Sequence, residues 1–161
     1  MTVLAPRVAS RRVAARGGAG GLRGGPRGDP AGARMLHLPS PMPTTPSKAL
    51  ARVPNPHRDR DYEVEHAVPE FTCVCPITGQ PDFATIRIRY VPDCWLVELR
   101  SLKLYAWAYR NEGAFHEDVT NRILNDLVDT LAPRRMDVVG DWNVRGGIKT
   151  VVTARYEKPR P

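Results

Sequence analysis

Two cysteines, Cys73 and Cys75, lie in the part of the chain whose residue types are best suited to chemistry. Pro76 follows the second thiol directly, and the sequence Thr-Gly-Gln-Pro at 78–81 is typical of a tight loop, so Cys75 is predicted on a rigid turn. Asp82 follows seven residues after Cys75, and a carboxyl group near a thiol can accept its proton and return it to a reacting nitrogen. The combination predicts nucleophilic catalysis, and a buried structural cysteine is the alternative.

A metal site is a second alternative for these thiols. Zinc takes about four ligands in structural sites, and Cys73 and Cys75 supply only two of them. The others would have to come from three histidines scattered along the chain, which are His57, His66 and His116. We therefore predict no metal site.

A histidine and two acids, His116, Glu117 and Asp118, fall where a long helix is predicted to begin. A carboxylate accepts hydrogen bonds from ring N–H and amino groups, and an imidazole can donate or accept. His116 and Glu117 are therefore suited to hold the edge of a purine-like base. The alternative is simple helix capping, because the helix dipole favours acids in the first turn.

A third group surrounds Ser101, which is predicted to cap the first helix. Arg100 and Lys103 flank that helix N-terminus, where N–H groups, the helix dipole and two cations suit a phosphate group. A solvated basic helix face is the alternative. The chain has no Gly-x-Gly-x-x-Gly sequence, so a Rossmann cofactor domain is not indicated.

Hydrophobic periodicity predicts the elements that position these groups. They are strands at 83–91 and 94–98, helices at 101–110 and 115–131, and strands at 136–145 and 148–156. We expect the first two strands to pair as a hairpin, and Gly146-Gly147 to turn the last two. The order predicts an α+β fold, in which an antiparallel four-stranded sheet carries two helices on one face. Such a sheet has two open edges, which favours self-association.

The N-terminal third has a different composition. Residues 1–34 contain eight Gly and seven Arg, and such a segment buries too little apolar surface to fold. It is predicted to be a disordered tail or to precede a true start at Met35, and an Arg-rich transit peptide is a further alternative. Residues 35–60 are Pro-rich and predicted to be a linker or an extended arm. The folded domain is expected at 61–161.

The net charge of +7 at pH 7 is concentrated in that tail. Residues 1–34 carry a net charge of +6, so the basic balance is poor evidence that the folded part binds nucleic acid. An odd number of cysteines, three, and no secretory signal favour reduced thiols in the cytoplasm. No apolar run is long enough to suggest a membrane span.

Four stretches together resemble the QueF-type 7-cyano-7-deazaguanine reductases, over about residues 69–155. They are Cys75-Pro-x-Thr-Gly-Gln-Pro-Asp82-Phe, Glu98-Leu-Arg-Ser-Leu-Lys-Leu-Tyr105, Phe115-His-Glu-Asp118 and Trp142-Asn-Val-Arg-Gly-Gly147. The resemblance implies the tunnelling fold, whose ββααββ order is the one predicted above. It also implies homo-oligomeric rings with active sites between subunits.

The resemblance further implies an NADPH-dependent reduction of the nitrile of 7-cyano-7-deazaguanine to an aminomethyl group, a step in queuosine biosynthesis for tRNA. Cys75 would be the nucleophile that forms a thioimide, and Asp82 its proton-transfer partner. Substrate-binding and cofactor-binding roles fall respectively on Val97, Glu98, Leu99, His116 and Glu117, and on Arg100, Ser101 and Lys103. The substrate is a free base, so no direct contact with nucleic acid is required.

One departure concerns Arg100, because the resembled signature normally has Lys there. Both side chains are cationic, so a phosphate contact is expected to persist with altered strength. Two alternatives of other kinds stay open. One is another tunnelling-fold enzyme, either an amidino-transferring relative or a zinc-dependent GTP cyclohydrolase-like protein. The other is a non-catalytic RNA-binding protein that uses the Arg-Gly tail.

Overall fold

A computed structural model describes residues 44–159 of the chain, and the predicted tail at 1–34 lies outside that range. The elements in chain order are β1 (Arg52–Pro54), β2 (Val64–Val74), β3 (Pro81–Val91), β4 (Trp95–Val97), α1 (Leu99–Trp107), α2 (His116–Leu131), β5 (Arg135–Arg145) and β6 (Ile148–Glu157). Strands β2, β3, β5 and β6 form an antiparallel sheet in the order β2-β3-β5-β6. The predicted α+β tunnelling fold is confirmed.

Strand β3 shows why one face of this sheet is covered. Its side chains alternate between buried and exposed, so Ala84, Ile86 and Ile88 point into the core while Arg87 and Arg89 lie on the open face. Helix α2 packs on β5 and β6, and α1 packs on β2. The helices therefore cover one face, as predicted, and charged side chains occupy the other.

The sequence prediction missed the first strand of the sheet, β2. Its pairing with β3 shifts register between Val68 and Phe71, at a β-bulge that contains Pro69. Proline interrupts a strand ladder and is tolerated at bulges, so this segment resembles a loop in sequence. The segment at 94–98, which the sequence predicts as one of the four strands of this sheet, is not part of it.

That short strand, β4, pairs instead with β1, so the predicted hairpin of 83–91 with 94–98 is wrong. Both edges of β3 are already paired, one with β2 and one with β5, so no edge is left for β4. Strand β1 lies within the segment that the sequence assigns to a linker or arm. The fold therefore begins before residue 61.

Helix α1 is capped by Glu98 rather than by Ser101. The Glu98 carboxylate accepts hydrogen bonds from the backbone N–H groups of Arg100 at 2.7 Å and Ser101 at 2.8 Å. These bonds lower the pKa of the Glu98 carboxyl group. The helix ends at Trp107, earlier than predicted, whereas α2 ends at Leu131, as Pro133 predicts.

The arm at 44–57 is held along this region. The Ala51 N–H donates to the Ser101 hydroxyl at 2.9 Å, and the Lys48 ammonium lies 2.8 Å from the Glu112 carboxylate. The Val74 N–H in turn donates to the Glu112 carbonyl at 2.9 Å. The arm is thus connected to the end of β2, where the candidate nucleophile lies. No helix in the described range is long and apolar enough to cross a membrane.

Candidate active site

Cys75 occupies a tight turn that joins β2 to β3. Its N–H donates to the Gln80 carbonyl at 2.8 Å, and its carbonyl accepts from the Gly79 N–H at 2.9 Å. Gly79 has a φ of +69°, a backbone conformation that glycine adopts without strain. The chain thus places the thiol on a turn closed by its own backbone.

The Cys75 thiol is poised to ionise near neutral pH. A hydrogen bond from the Thr78 hydroxyl, then bonds from the N–H groups of Thr78 and Ile77, lower its pKa to about 7. The positive charge of Arg145 acts in the same direction. The thiol therefore ionises more readily than an ordinary cysteine near neutral pH, and the thiolate is the nucleophilic form.

Cys73 has the opposite properties. It lies inside β2 with an exposed fraction of 0%, and burial raises the pKa of its thiol to about 12. The negative charge of Asp82, its pairing partner on β3, raises the pKa further. Of the two neighbouring thiols, Cys75 is the one that is both accessible and of lowered pKa, so it is the better candidate for the nucleophile.

Asp82 lies next to the turn, and its carboxylate is buried. One oxygen accepts a hydrogen bond from the Arg145 guanidinium, and the other lies 3.3 Å from Nε2 of His116. The sequence-predicted residues Cys75, Asp82 and His116 thus converge at one end of the sheet. A carboxylate in this position can exchange a proton with a group bound above the thiol.

His116 is held by an aromatic ring that sequence reasoning did not assign. Its imidazole stacks on the buried indole of Trp142, with centroids 3.9 Å apart and planes 8° from parallel. Gly140 makes room for this indole, since an added Cβ would lie 2.7 Å from Trp142 Nε1 and 2.6 Å from the Thr120 hydroxyl. Glu117 follows on the exposed first turn of α2, with no hydrogen-bond partner for its carboxylate among residues 44–159.

Arg145 is the other residue that the prediction left without a role. Its guanidinium reaches Asp82, the Thr78 hydroxyl at 2.6 Å and the Gln80 amide oxygen at 2.8 Å. It ends β5, about sixty residues after the turn, so local pattern could not place it there. The only sequence signal was its place in the Trp142–Gly147 stretch.

Three of the predicted substrate-binding residues lie away from the Cys75 turn, and they are Val97, Glu98 and Leu99. Together with Val64 and Tyr62 they line an apolar cavity of about 470 Å³ near the start of β2. Cys75 follows the opposite end of that strand, and eleven strand residues span about 35 Å. The structure therefore does not bring these predicted substrate residues to the thiol of the same chain.

The predicted cofactor residues lie along α1. Lys103 is exposed in a groove of about 910 Å³ that runs between α1 and β2, and Arg100 is exposed at the start of the helix. Ser101 is buried, and its hydroxyl donates to the Glu98 carbonyl at 2.7 Å while accepting from Ala51. The two cations are thus available to a phosphate, whereas the serine hydroxyl is engaged with the arm.

Within residues 44–159, no group of three or more His, Cys, Asp or Glu side chains is arranged to hold a metal ion.

The sequence matches the family model described as QueF-like protein over residues 81–161. A relative from Thermomicrobium roseum, named NADPH-dependent 7-cyano-7-deazaguanine reductase, is 71% identical over 117 residues, which cover 73% of this chain and 91% of the relative. Proteins of the same name from Anaeromyxobacter sp. and Nitrosococcus oceani are 64% and 55% identical, over 73% of this chain and 98% and 92% of their own lengths.

Among solved structures, this chain resembles the archaeosine synthase QueF-Like in its apo form. The TM-score is 0.56 with 19% sequence identity, and the match covers 61% of this chain and 96% of the other. At this identity the likeness supports the fold alone.

Proposed function

Because the chain belongs to the NADPH-dependent 7-cyano-7-deazaguanine reductases, we propose that it reduces the nitrile of 7-cyano-7-deazaguanine to a primary amine through a covalent adduct on Cys75. The observation that carries this mechanism is that an accessible thiol of lowered pKa and a buried carboxylate flank one turn. The substrate is a free base, and the mechanism requires no nucleic acid. The three free thiols suit a reducing compartment, and we place the enzyme in the cytoplasm.

The first step is nucleophilic addition by Cys75. The thiolate sulfur bonds to the nitrile carbon, one C–N π pair moves to the nitrogen, and that nitrogen takes up a proton to give a neutral thioimide. We assign to Asp82, whose buried carboxylate flanks the same turn, the role of taking the thiol proton and delivering it to this nitrogen. Atoms balance without a further reactant, so the adduct forms in the absence of cofactor.

NADPH supplies two hydrides, one for the thioimide carbon and one for the imine that remains when the Cys75 thiolate leaves. Lys103 and Arg100 are placed to hold its phosphates beside the groove along α1. His116 and Glu117 hold the deazaguanine edge, with the imidazole fixed by Trp142. Enclosure of this site protects the imine from water.

We further propose that a second copy of the chain completes each site. Val97, Glu98 and Leu99 lie about the length of β2 away from Cys75 in one chain, so they can line the base only from a neighbouring subunit. Strands β2 and β6 are the open edges of the described sheet, and edge pairing is the natural route to a ring.

Subunit mixing tests this shared site. Cys75→Ala removes the thiol half and Leu99→Glu the other half, and Leu99 is 60% exposed, so the second change leaves the core intact. Each variant alone should be inactive. After dissociation and joint reassembly, roughly a quarter of the sites should have two intact halves and regain nitrile reduction.

The matched control mixes Cys75→Ala with Asp82→Asn, whose lesions both lie in the thiol half. That mixture should show no more activity than its Asp82→Asn component shows alone. A chain that sediments as a monomer while turning over at full rate, or an absence of recovery in the first mixture, would contradict the shared site.

The reductase activity itself is tested by absorbance at the NADPH band. Purified protein should oxidise NADPH only when the cyano base is present, with two cofactors consumed per base because a nitrile needs two hydrides to become an amine. An amidino-transferring enzyme would consume the nitrile without oxidising NADPH, so that result would overturn the reductase assignment.

A further inference from the structure

The guanidinium of Arg145 connects the end of β5 to the turn that carries Cys75. It donates to the Thr78 hydroxyl at 2.6 Å and to the Gln80 amide oxygen at 2.8 Å, and it also pairs with the buried Asp82 carboxylate. Burial opposes the ionised form of Arg145, but the bonds to Asp82 and Cys75 outweigh it and raise the pKa of the guanidinium. One side chain thus contacts three polar side chains around the thiol turn, those of Thr78, Gln80 and Asp82.

The contact with Thr78 fixes the direction of a hydroxyl proton. A hydroxyl group has one hydrogen to donate, and the Thr78 oxygen already accepts from Arg145. Its one hydrogen remains available to the Cys75 sulfur, and Thr78 is the side chain that forms a hydrogen bond with that thiol. That bond is the largest cause of the lowered pKa of Cys75, and the positive charge of Arg145 lowers the same pKa directly. Arg145 therefore acts on the thiol both through Thr78 and by its own charge.

The contact with Asp82 compensates for a buried negative charge. A carboxylate that loses contact with water needs a paired cation and hydrogen bonds, and Asp82 has an exposed fraction of 6%. Arg145 occupies one carboxylate oxygen and leaves the other facing His116. The oxygen that faces His116 is thereby not occupied by Arg145 and stays available for proton transfer.

We propose that Arg145 is a positioning residue for the nucleophile: its planar guanidinium orients the Thr78 hydroxyl towards the Cys75 sulfur and holds the Asp82 carboxylate beside the same turn. A lysine cannot replace it fully, because an ammonium is a compact point charge and lacks the several in-plane N–H donors with which a guanidinium reaches separate acceptors. The inference deepens the proposed function and rests on it for the role of Asp82. The effect on the thiol can be measured without nitrile or NADPH.

The test is the pH dependence of Cys75 alkylation by iodoacetamide, in a Cys94→Ser background that removes the other accessible thiol. The alkylation rate should rise with pH as the thiol ionises, with a midpoint near 7 in the parent protein. Arg145→Met and Arg145→Lys should move this midpoint upward, by about one unit for the first and less for the second. Arg155→Met, which removes an exposed arginine from β6, is the matched control and should leave the midpoint unchanged.

A double-mutant cycle identifies the route of the effect. Thr78→Val should also raise the midpoint, and adding Arg145→Lys to it should produce little further change, because the hydroxyl that transmits the effect is already gone. Additive shifts would overturn the route through Thr78. Far-ultraviolet circular dichroism establishes that each variant is folded.

Two results separate this inference from the reductase assignment. If the alkylation midpoint of Arg145→Lys stays at the parent value while the KM for NADPH rises, Arg145 serves the cofactor alone and the inference is wrong. If the midpoint shifts as expected but no variant, nor the parent protein, reduces the nitrile, the positioning role stands and the proposed reaction fails.

Discussion

Replacement of Cys75 by alanine is expected to abolish nitrile-dependent NADPH oxidation, with a loss of roughly 10⁴-fold or more, as removal of a covalent nucleophile typically gives. The physical reason is that no other thiol can take its place. Cys75 is the thiol whose pKa is lowered to about 7 by Thr78 and neighbouring N–H groups, and it lies on an accessible turn. Steady-state turnover with saturating base and NADPH measures the effect.

Cys73→Ala is the matched control, since it removes the same functional group two residues away. Cys73 is buried in the core, and burial raises the pKa of its thiol to about 12, so it contributes almost no thiolate at neutral pH. Turnover should persist, although the cavity left behind is expected to lower the free energy of unfolding by about 1 kcal/mol or more. Loss of turnover in Cys73→Ala with retention in Cys75→Ala would reverse the assignment.

Asp82→Asn is expected to slow adduct formation by about 10²–10⁴-fold, the usual contribution of a general acid–base group. The amide has nearly the shape of the carboxylate but cannot take the thiol proton and pass it to the nitrile nitrogen. Rapid mixing of enzyme and cyano base without NADPH measures this step alone. Binding of the base should persist, because His116 and Glu117 are unchanged.

The control for this change is Asp141→Asn. Asp141 is another carboxylate that is paired with cations, Arg87 and Lys149, but it lies away from the thiol turn. Its loss should leave the rate of adduct formation unchanged. Formation of the adduct by Asp82→Asn at the parent rate would show that the proton travels by another route.

Strong local patterns predicted part of this fold correctly. The alternation of β3 and the Gly146-Gly147 turn between β5 and β6 are encoded by neighbouring residues, so periodicity and turn chemistry were sufficient. Strand β2 was not predicted because Pro69 and the β-bulge around it interrupt the alternation of apolar and polar residues. The pairing of β4 with β1 was not predicted because it depends on which edges of β3 are free. That is a property of the whole sheet.

The candidate site, like the fold, could be predicted from the sequence only where its residues are close together in the chain. Cys75 and Asp82 lie close in sequence and flank one turn, so their association follows from local structure. Arg145 and Trp142 reach the site only because β5 pairs with β3, and spacing along the chain gives no sign of that contact. Glu98 was assigned to the site from its motif, but in the structure both of its carboxylate oxygens cap helix α1.

The most direct test of the central claim is the intact mass of the protein after incubation with 7-cyano-7-deazaguanine in the absence of NADPH. The mechanism predicts a mass equal to enzyme plus base, located on Cys75 by peptide mapping, which disappears when NADPH is added and amine is released. An unchanged mass from enzyme that nevertheless reduces the nitrile, or an adduct located on Cys73 or Cys94, would contradict it.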